Sequence, residues 1–348
     1  MNEQEQSLSV KTFLNKVLTG TAQGTIIALI PNAVLSAILT YFTGNPYIVM
    51  IIQAAVIFQL ATPLIIGGLI AKQFNFDPMR IMVVAGATFV GSGVIKFNPD
   101  AEAYIGAGTG DVINIMITAS VAVLLALWIK DKFGSSSIIF LPIVVGVGAG
   151  FVGMLLYPYV TLITTAIGGM INNFTNLQPI IMSILISMSF AALIISPITT
   201  VGIGLAIGLS GISAGAAAMG VAATTVCLVV NSWKVNESGI TLAIALGGMK
   251  MMMPNLFRKP IILLPCLFTA IISAIPVALF NISGTPQSAG FGLVGLVGPL
   301  ASLDAGLNIL LLLVSWFLVP IAASFVGQIL FEKVLKLYDR QEVFQYFG

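Results

Sequence analysis

Long apolar runs alternate with short polar segments along most of the 348-residue chain. An apolar run of about 20 residues matches a helix that crosses a bilayer, whereas membrane β-strands alternate over about 10 residues. The pattern therefore predicts an all-α polytopic membrane protein with about eight to ten transmembrane helices. The predicted spans are 19–42, 47–71, 79–95, 111–130, 137–160, 180–196, 260–282 and 306–330.

The first segment, residues 1–17, has a different pattern. It is polar and charged at its start, and from Ser9 onward its apolar residues fall on one helical stripe. Such a stripe predicts a short amphipathic helix that lies at the membrane surface.

Glycine and proline interrupt the second half. The interval 197–232 is apolar but rich in Gly, Ala, Ser and Thr, and it fits either two further spans or a broken hairpin. Non-helical backbone in a membrane survives where it is buried in protein or lines a wet cavity, and broken segments point to a transporter's binding site. We therefore expect re-entrant hairpins near 236–255, entered from inside, and near 284–303, entered from outside.

Composition confirms the membrane class and excludes several chemistries. The chain is 58% hydrophobic and 7% charged, against about 25% charged residues in soluble domains. It has no histidine, and Cys227 and Cys266 lie inside apolar runs, where they are interpreted as small buried hydrophobes. We expect no catalytic residues, metal site or cofactor, and the absence of a basic cluster indicates no nucleic-acid partner.

Charge placement predicts the orientation. Lys and Arg concentrate in the short loops on the cytoplasmic side of membrane proteins. The loops predicted to lie outside carry only Lys96, against Asp100 and Glu102. Both chain ends are therefore predicted to be cytoplasmic. The loops predicted to lie inside carry Lys72, Arg80, Lys130, Lys132, Lys234, Arg258, Lys259, Lys333 and Lys336.

The first hairpin contains the leading candidate site. Glu237 is an ionisable residue among apolar segments, and its two oxygens suit the vicinal hydroxyls of a polyol. It is a candidate ligand acceptor or proton carrier; the alternative is an interfacial residue that offsets Lys234. Asn236, Ser238 and Thr241 complete a polar cup in the functional interpretation, and Asn236 or Ser238 caps the following helix in the structural one.

Further candidates lie around the breaks. Gln287 and Ser288, at the tip of the second hairpin, are candidate ligand contacts or gate residues. Thr199 and Thr200 follow Pro197 and either line a cavity or bond freed backbone groups. Lys250 is expected to extend its ammonium to the cytoplasmic interface.

The stretch "GAGTGDVINIM" at 106–116 superficially matches a nucleotide-binding glycine loop. It lacks the βαβ context that such a loop needs. Asp111 is therefore expected to cap the next span, with Asn114 one turn deeper. A role of either residue in ion or ligand handling is the alternative.

Three stretches resemble a known family: "ISPITTVGIGLAIGLSGISAGAAAMG" at 195–220, "VNSWKVNESGITLAIALGGMKMMMPNLFRKPIILLP" at 230–265 and "NISGTPQSAGFGLVGLVGPL" at 281–300. They resemble the membrane subunit, enzyme IIC, of the bacterial phosphoenolpyruvate-dependent sugar phosphotransferase system. The resemblance is closest to a stand-alone enzyme IIC-like group that includes regulators of toxin expression.

This resemblance implies a homodimer in the bacterial cytoplasmic membrane. It implies a scaffold and dimerisation region at 18–171, a substrate-carrying region at 172–330 that moves like an elevator, and a cytoplasmic tail at 331–348. Many sugar-transporting relatives have a glutamate directly after Gly-Ile-Thr. Here Leu242 follows Gly239-Ile240-Thr241, so the role of that glutamate passes to Glu237 only by proximity.

The expected function is a permease for a small polar solute, a sugar or polyol. Phosphorylation, where it occurs, comes from a separate IIB protein, so the chain is at most the membrane component of a sugar phosphotransferase. Two alternatives stay open. In the first alternative the chain is a membrane sensor that signals through its tail. In the second it is an ion-coupled transporter in which Glu237 or Asp111 carries the proton.

Overall fold

The computed structural model describes residues 9–106 and 108–347. Contacts between residues divide the chain into two compact units. The first unit comprises Met1–Thr25 and Leu60–Pro158, and the second comprises Ile26–Gln59 and Tyr159–Gly348. The division falls at 158–159, whereas the sequence placed a boundary after 171. The scaffold and carrier roles of the two regions stay predictions.

The first unit is built from helices and one small β-hairpin. Its elements are α1 (Val10–Leu39, which continues into the second unit), α3 (Thr62–Gln73), α4 (Pro78–Gly91), β1 (Ile95–Asn98), β2 (Ala103–Gly106), α5 (Val112–Ile129), α6 (Ser137–Leu141), a π-helical turn at Pro142–Val147, and α7 (Gly148–Phe174, which also continues into the second unit).

Helix α1 runs through residue 17 without a break, so the described part contains no separate surface helix; residues 1–8 of that prediction lie outside the described residues. Helix α1 continues as one helix because it packs closely against α3. A Cβ on Gly20 would lie 2.5 Å from the Cα of Ile70, and one on Gly24 would lie 2.6 Å from the Cα of Ile66. Small residues four apart allow two helix backbones to approach closely. The predicted surface segment therefore continues into a packed helix.

The segment predicted as an outer loop, 96–110, contains the β-hairpin. β1 and β2 pair antiparallel, with Ile95 opposite Gly106. The Asn98 side chain accepts hydrogen bonds from the backbone N–H groups of Asp100 and Ala101, which stabilises the turn. A helix-period analysis does not detect four-residue strands of this kind.

The second unit contains the remaining helices. They are α2 (Pro46–Leu60), α8 (Pro179–Ile195), α9 (Thr200–Ala206), α10 (Gly211–Ser232), α11 (Ser238–Ala245), α12 (Met253–Arg258), α13 (Leu263–Leu279), α14 (Val297–Asp304), α15 (Ile309–Leu313), α16 (Val319–Gln328) and α17 (Arg340–Phe344). π-Helical turns at Val314–Leu318 and Ile329–Val334 extend α15 and α16 into one apolar helix, Ile309–Val334.

Helix α10 lies at the centre of the second unit. Its small residues permit close contacts with α8, and a Cβ on Gly220 would lie 2.1 Å from the carbonyl oxygen of Ser187. The Thr224 hydroxyl donates to the carbonyl of Ala191 at 3.2 Å, and the Ser187 hydroxyl donates to the carbonyl of Ala270 on α13 at 3.2 Å. Interhelical hydrogen bonds of this type stabilise helix pairs in membranes.

Within the described residues, six helices are long and apolar enough to cross a membrane, or up to eight if each of two bent pairs is one span. This confirms the all-α polytopic class. The interval 197–232 resolves into the short helix α9 and one span, α10. The bent pair within the second unit is Ser238–Ala245 with Met249–Arg258, at 120°.

The close approach of α10 and α8 gives a first prediction. Gly220→Ala should destabilise the protein by about 1–3 kcal/mol, because the added methyl group meets the α8 backbone. Thermal unfolding of the purified protein measures the change. Gly169→Ala in α7 is the matched control, since a Cβ there meets nothing within 4 Å. Equal unfolding temperatures for the two variants would contradict this packing.

Candidate functional site: a groove at the first hairpin

The first predicted hairpin is a sharply bent pair of short helices. α11 ends at Ala245, and a 3₁₀ turn at Met249–Met252 leads into α12. The bend of 120° is centred on Gly247, whose φ of 125° favours glycine. Gly247 also abuts Val294 of the second hairpin, because a Cβ at Gly247 would lie 2.8 Å from a Val294 methyl group. A bend thus lies within the predicted range 236–255, and its re-entrant course stays a prediction.

A groove with a volume of about 460 Å³ opens where α10 leads into α11. It combines apolar walls with a few hydrogen-bonding side chains. Trp233 is 60% exposed, and the Thr241 hydroxyl bonds the Ser232 hydroxyl at 3.3 Å. The groove thus offers an aromatic face beside polar groups, the combination typical of small-molecule sites. Its lining is Val229, Trp233, Lys234, Asn236, Ser238, Thr241, Leu242 and Ala245.

Glu237 lies at the rim of this groove, at the N-cap position of α11. Its side chain is exposed and makes no capping hydrogen bond, and it is not part of the groove lining. A carboxylate at a helix N-terminus is electrostatically favourable. Of the four residues predicted for this hairpin, Asn236, Ser238 and Thr241 line the groove and Glu237 borders it.

Asn236 has a second set of contacts that the sequence did not indicate. Its side-chain amide donates to the carbonyl of Phe344 at 2.7 Å and to the Ser232 hydroxyl at 2.6 Å. Its side-chain oxygen accepts the backbone N–H of Tyr346 at 2.7 Å. Both ends of the Asn236 amide are therefore bonded to the protein, the nitrogen to a residue 108 positions away and the oxygen to one 110 positions away.

Asn255, in α12, holds the same distant segment from the other end of the hairpin. Its amide nitrogen donates to the carbonyls of Val343 and Gln345, at 2.8 and 2.7 Å. The carbonyls of Val343 and Gln345 thus bond Asn255, and that of Phe344 between them bonds Asn236. We call residues 338–347 the strap, because they join the two ends of the first hairpin.

Other contacts fix the strap in place. The Lys259 ammonium pairs with the Glu342 carboxylate at 3.1 Å, and the Arg258 guanidinium lies 4.6 Å from the centre of the Phe347 ring. Phe344 is fully buried in the core of the unit. Burial raises the pKa of the Tyr338 phenol, which stays uncharged in its apolar setting. The predicted tail is thus packed from Tyr338 onward.

The second predicted hairpin is less regular. Short 3₁₀ turns at Ser288–Gly290 and Val294–Leu296 precede α14. The Ser288 hydroxyl accepts the N–H of Thr285 at 2.8 Å, and the Thr285 hydroxyl accepts the N–H of Ser288 at 3.1 Å. Ser288 is buried and serves this turn, whereas Gln287 is exposed. Neither residue lines the groove.

The break between α8 and α9 contacts both hairpins. The Lys250 ammonium donates to the carbonyls of Ser196 and Ile198, the latter at 3.0 Å. The Thr200 hydroxyl donates to the carbonyl of Gly290 at 2.9 Å. Lys250 is buried rather than extended to an interface, so that expectation was wrong. The carbonyls of the broken helix attract its ammonium inward.

Thr199 is the N-cap of α9, and its hydroxyl accepts the N–H of Gly202 at 2.9 Å. Thr199 thus bonds a backbone group at the start of α9, and Thr200 bonds one in the second hairpin. Between the hairpins lies a largely apolar cavity of about 490 Å³, where Leu246 faces Leu293 and Leu296. Neither threonine lines it.

Asp111 and Asn114 belong to the first unit. The Asp111 carboxylate caps α5 by accepting the N–H of Asn114 at 3.0 Å. The Asn114 amide donates to the carbonyls of Gly91 and of Gly153, the latter at 2.9 Å. Asn114 thereby joins α4, α5 and α7.

Sequence reasoning missed Trp233, Lys250 and Asn255 as functional residues. Trp233 directly precedes the polar cluster, so its position was a usable signal. Lys250 and Asn255 bond carbonyls that lie 52–54 and 88–90 residues away. No local pattern reveals such partners.

The strap contacts give a second prediction. Asn255→Ala should release the strap locally, because two carbonyls lose their donor at a cost of about 1–3 kcal/mol. Hydrogen exchange should then quicken in 253–258 and 341–347 and stay unchanged in 112–129. Asn173→Ala, at an exposed position, is the control. Unchanged exchange in the strap would show that these hydrogen bonds do not hold it.

Comparison with known proteins agrees with this architecture of apolar helices around broken ones. No curated protein matches the chain. The family described as "Phosphotransferase system, EIIC" matches residues 15–344, which is nearly the whole chain. The chain therefore belongs to the enzyme IIC family of phosphotransferase-system membrane subunits, and its place is the cell membrane.

Proposed function

We propose that this enzyme IIC chain carries a sugar or polyol across the cell membrane and binds it in the groove at the first hairpin. The observation that carries the proposal is the groove itself, in which an exposed indole lies beside hydroxyl and amide side chains. The apolar face of a sugar ring packs on an aromatic ring, and its hydroxyls need donors and acceptors. Trp233, Ser238 and Thr241 provide both kinds of contact.

Glu237 supplies the acceptor at the rim. Its carboxylate is exposed and makes no capping hydrogen bond to α11. Two carboxylate oxygens accept two vicinal hydroxyls. Asn236 contributes less, because its amide already bonds the strap. Gln287, which is exposed on the second hairpin, is the candidate gate residue, and Ser288 fixes the turn beside it.

Transport by alternating access fits the broken helices of the second unit. We propose that region 172–330 moves like an elevator with its solute, in a homodimer held by region 18–171, and that both chain ends are cytoplasmic. A separate IIB protein supplies the phosphoryl group, since the chain has no histidine to carry it. The solute hydroxyl, presented by this chain, then attacks the phosphorus and loses its proton, while the bond between phosphorus and the IIB side chain breaks and that side chain is the leaving group.

The indole gives a third prediction. Trp233→Ala should weaken binding of the transported solute about tenfold, which corresponds to about 1.4 kcal/mol. A thermal-shift screen against sugars, polyols, sugar phosphates and nucleosides identifies the solute, and calorimetry then measures the dissociation constant. Trp128→Ala is the matched control, because Trp128 is 67% exposed and lies in the first unit. Equal losses in both variants would place the site elsewhere.

The rim carboxylate gives a fourth prediction. Glu237→Gln should weaken solute binding by about 1.5–3 kcal/mol, because a charged acceptor is lost. The unfolding temperature without solute should change little, since Glu237 makes no side-chain capping bond. Glu102→Gln, at an exposed position of the β-hairpin turn, is the control. Undiminished affinity in Glu237→Gln would remove this residue from the site.

A second candidate function is a membrane sensor, favoured by one residue that has two roles. Asn236 lines the groove and also bonds the strap. Solute in the groove would compete for the Asn236 amide and loosen residues 338–347. Solute-dependent hydrogen exchange in the strap supports the sensor, whereas exchange that ignores solute supports transport alone.

A further inference from the structure

Lys250 is a buried lysine that has no carboxylate partner among the residues that the structure describes. The residue is 6% exposed and lies in an apolar hairpin. The ion pairs found among the described residues join Arg80, Lys259 and Arg340 to carboxylates, and none includes Lys250. A charged group in such surroundings is costly and is usually retained for function.

Its partners are the carbonyls at the end of α8. The ammonium bonds Ser196 and Ile198, on either side of Pro197, where the helix has ended. The last carbonyls of a helix have no intrahelical partners, and the helix C-terminus carries a partial negative charge. A positive charge is therefore favoured at this point.

The same break is fixed against the second hairpin. Thr200 bonds the carbonyl of Gly290, and a Cβ on Gly290 would lie only 2.3 Å from the backbone nitrogen of Val201. Residues 196–201 thus connect the two hairpins. The ammonium stabilises the segment on which both of them rest.

In ion-coupled carriers, unwound carbonyls and the C-terminal ends of half-helices coordinate a monovalent cation. We propose that Lys250 is a tethered substitute for such an ion: its ammonium fills a cation site made by the Ser196 and Ile198 carbonyls. The break is then stable without Na⁺ or K⁺, and transport needs no coupling cation. Loss of the ammonium opens this site to a small monovalent ion, with water completing its coordination. The inference goes beyond the proposed function, and its test needs no solute.

The experiment measures the unfolding temperature of the full chain in NaCl, KCl, methylammonium chloride and N-methylglucamine chloride at equal ionic strength. Wild type should unfold at one temperature in all four salts. Lys250→Ala should unfold earlier in N-methylglucamine and recover by about 3 °C or more in NaCl, KCl or methylammonium. Lys250→Met should unfold early in every salt, because its thioether fills the space without a charge. Lys333→Ala, at an exposed lysine of the same unit, is the control.

Three results overturn the proposal. One is stabilisation of wild type by Na⁺ or K⁺ over N-methylglucamine. Another is a Lys250→Ala protein that is as stable as wild type. The third is a Lys250→Ala protein whose unfolding temperature no small cation raises. If Lys250→Ala yields no folded protein in any salt, Lys250→Arg and Lys250→Gln decide. The Lys250→Arg protein must unfold at the wild-type temperature, within the margin set by the control, and the Lys250→Gln protein must unfold at a lower one. Equal unfolding temperatures for these two variants reject the role of the charge.

Discussion

Backbone groups that leave a helix inside an apolar protein must find partners within the chain, because no water is present to bond them. Three such places in the described part of the second unit are the break at 196–199, the bend at 246–248 and the irregular segment at 284–296. Lys250 of the first hairpin bonds two carbonyls of the break, and Thr200, beside the break, bonds the carbonyl of Gly290 in the second hairpin. Side chains thus satisfy backbone groups at the break and in the second hairpin, whereas the N–H groups of Gly247 and Gly248 at the bend bond backbone carbonyls.

This constraint explains which parts of the molecule could be predicted from the sequence. Apolar run length determines a polytopic helical fold, and that prediction is confirmed, as is the family. Glycine and proline in the second half predicted broken segments, and a bend lies within 236–255, at Gly247. The β-hairpin at Ile95–Gly106 was missed because its strands are too short to show a period. The continuation of α1 from Val10 to Leu39 was not foreseen, because Gly20 and Gly24 pack against α3, which is distant in sequence, and a surface position of residues 1–17 stays a prediction.

The candidate site was predicted less completely, for a related reason. Polar residues in an apolar chain were interpreted as candidate ligand contacts, yet most of the candidate side chains form hydrogen bonds with the backbone. Ser288, Thr199, Thr200 and Asn114 each complete a turn, a cap or a helix contact. Their partners decide their role, and several partners lie far away along the chain. Fewer candidate residues therefore lie around the groove than the sequence predicted. Trp233 is added to them, and Asn236 also bonds the strap.

The strap also has a consequence for the order in which the protein is made. Asn236 leaves the ribosome 110 residues before Tyr346, and Asn255 leaves 90 residues before Gln345. During that interval both amides lack their final partners, so the first hairpin is synthesised before the hydrogen bonds that join its two ends can form. Contacts of such separation form late, since the intervening chain must be closed into a loop first. The two ends of the hairpin are therefore joined only when the strap has been made.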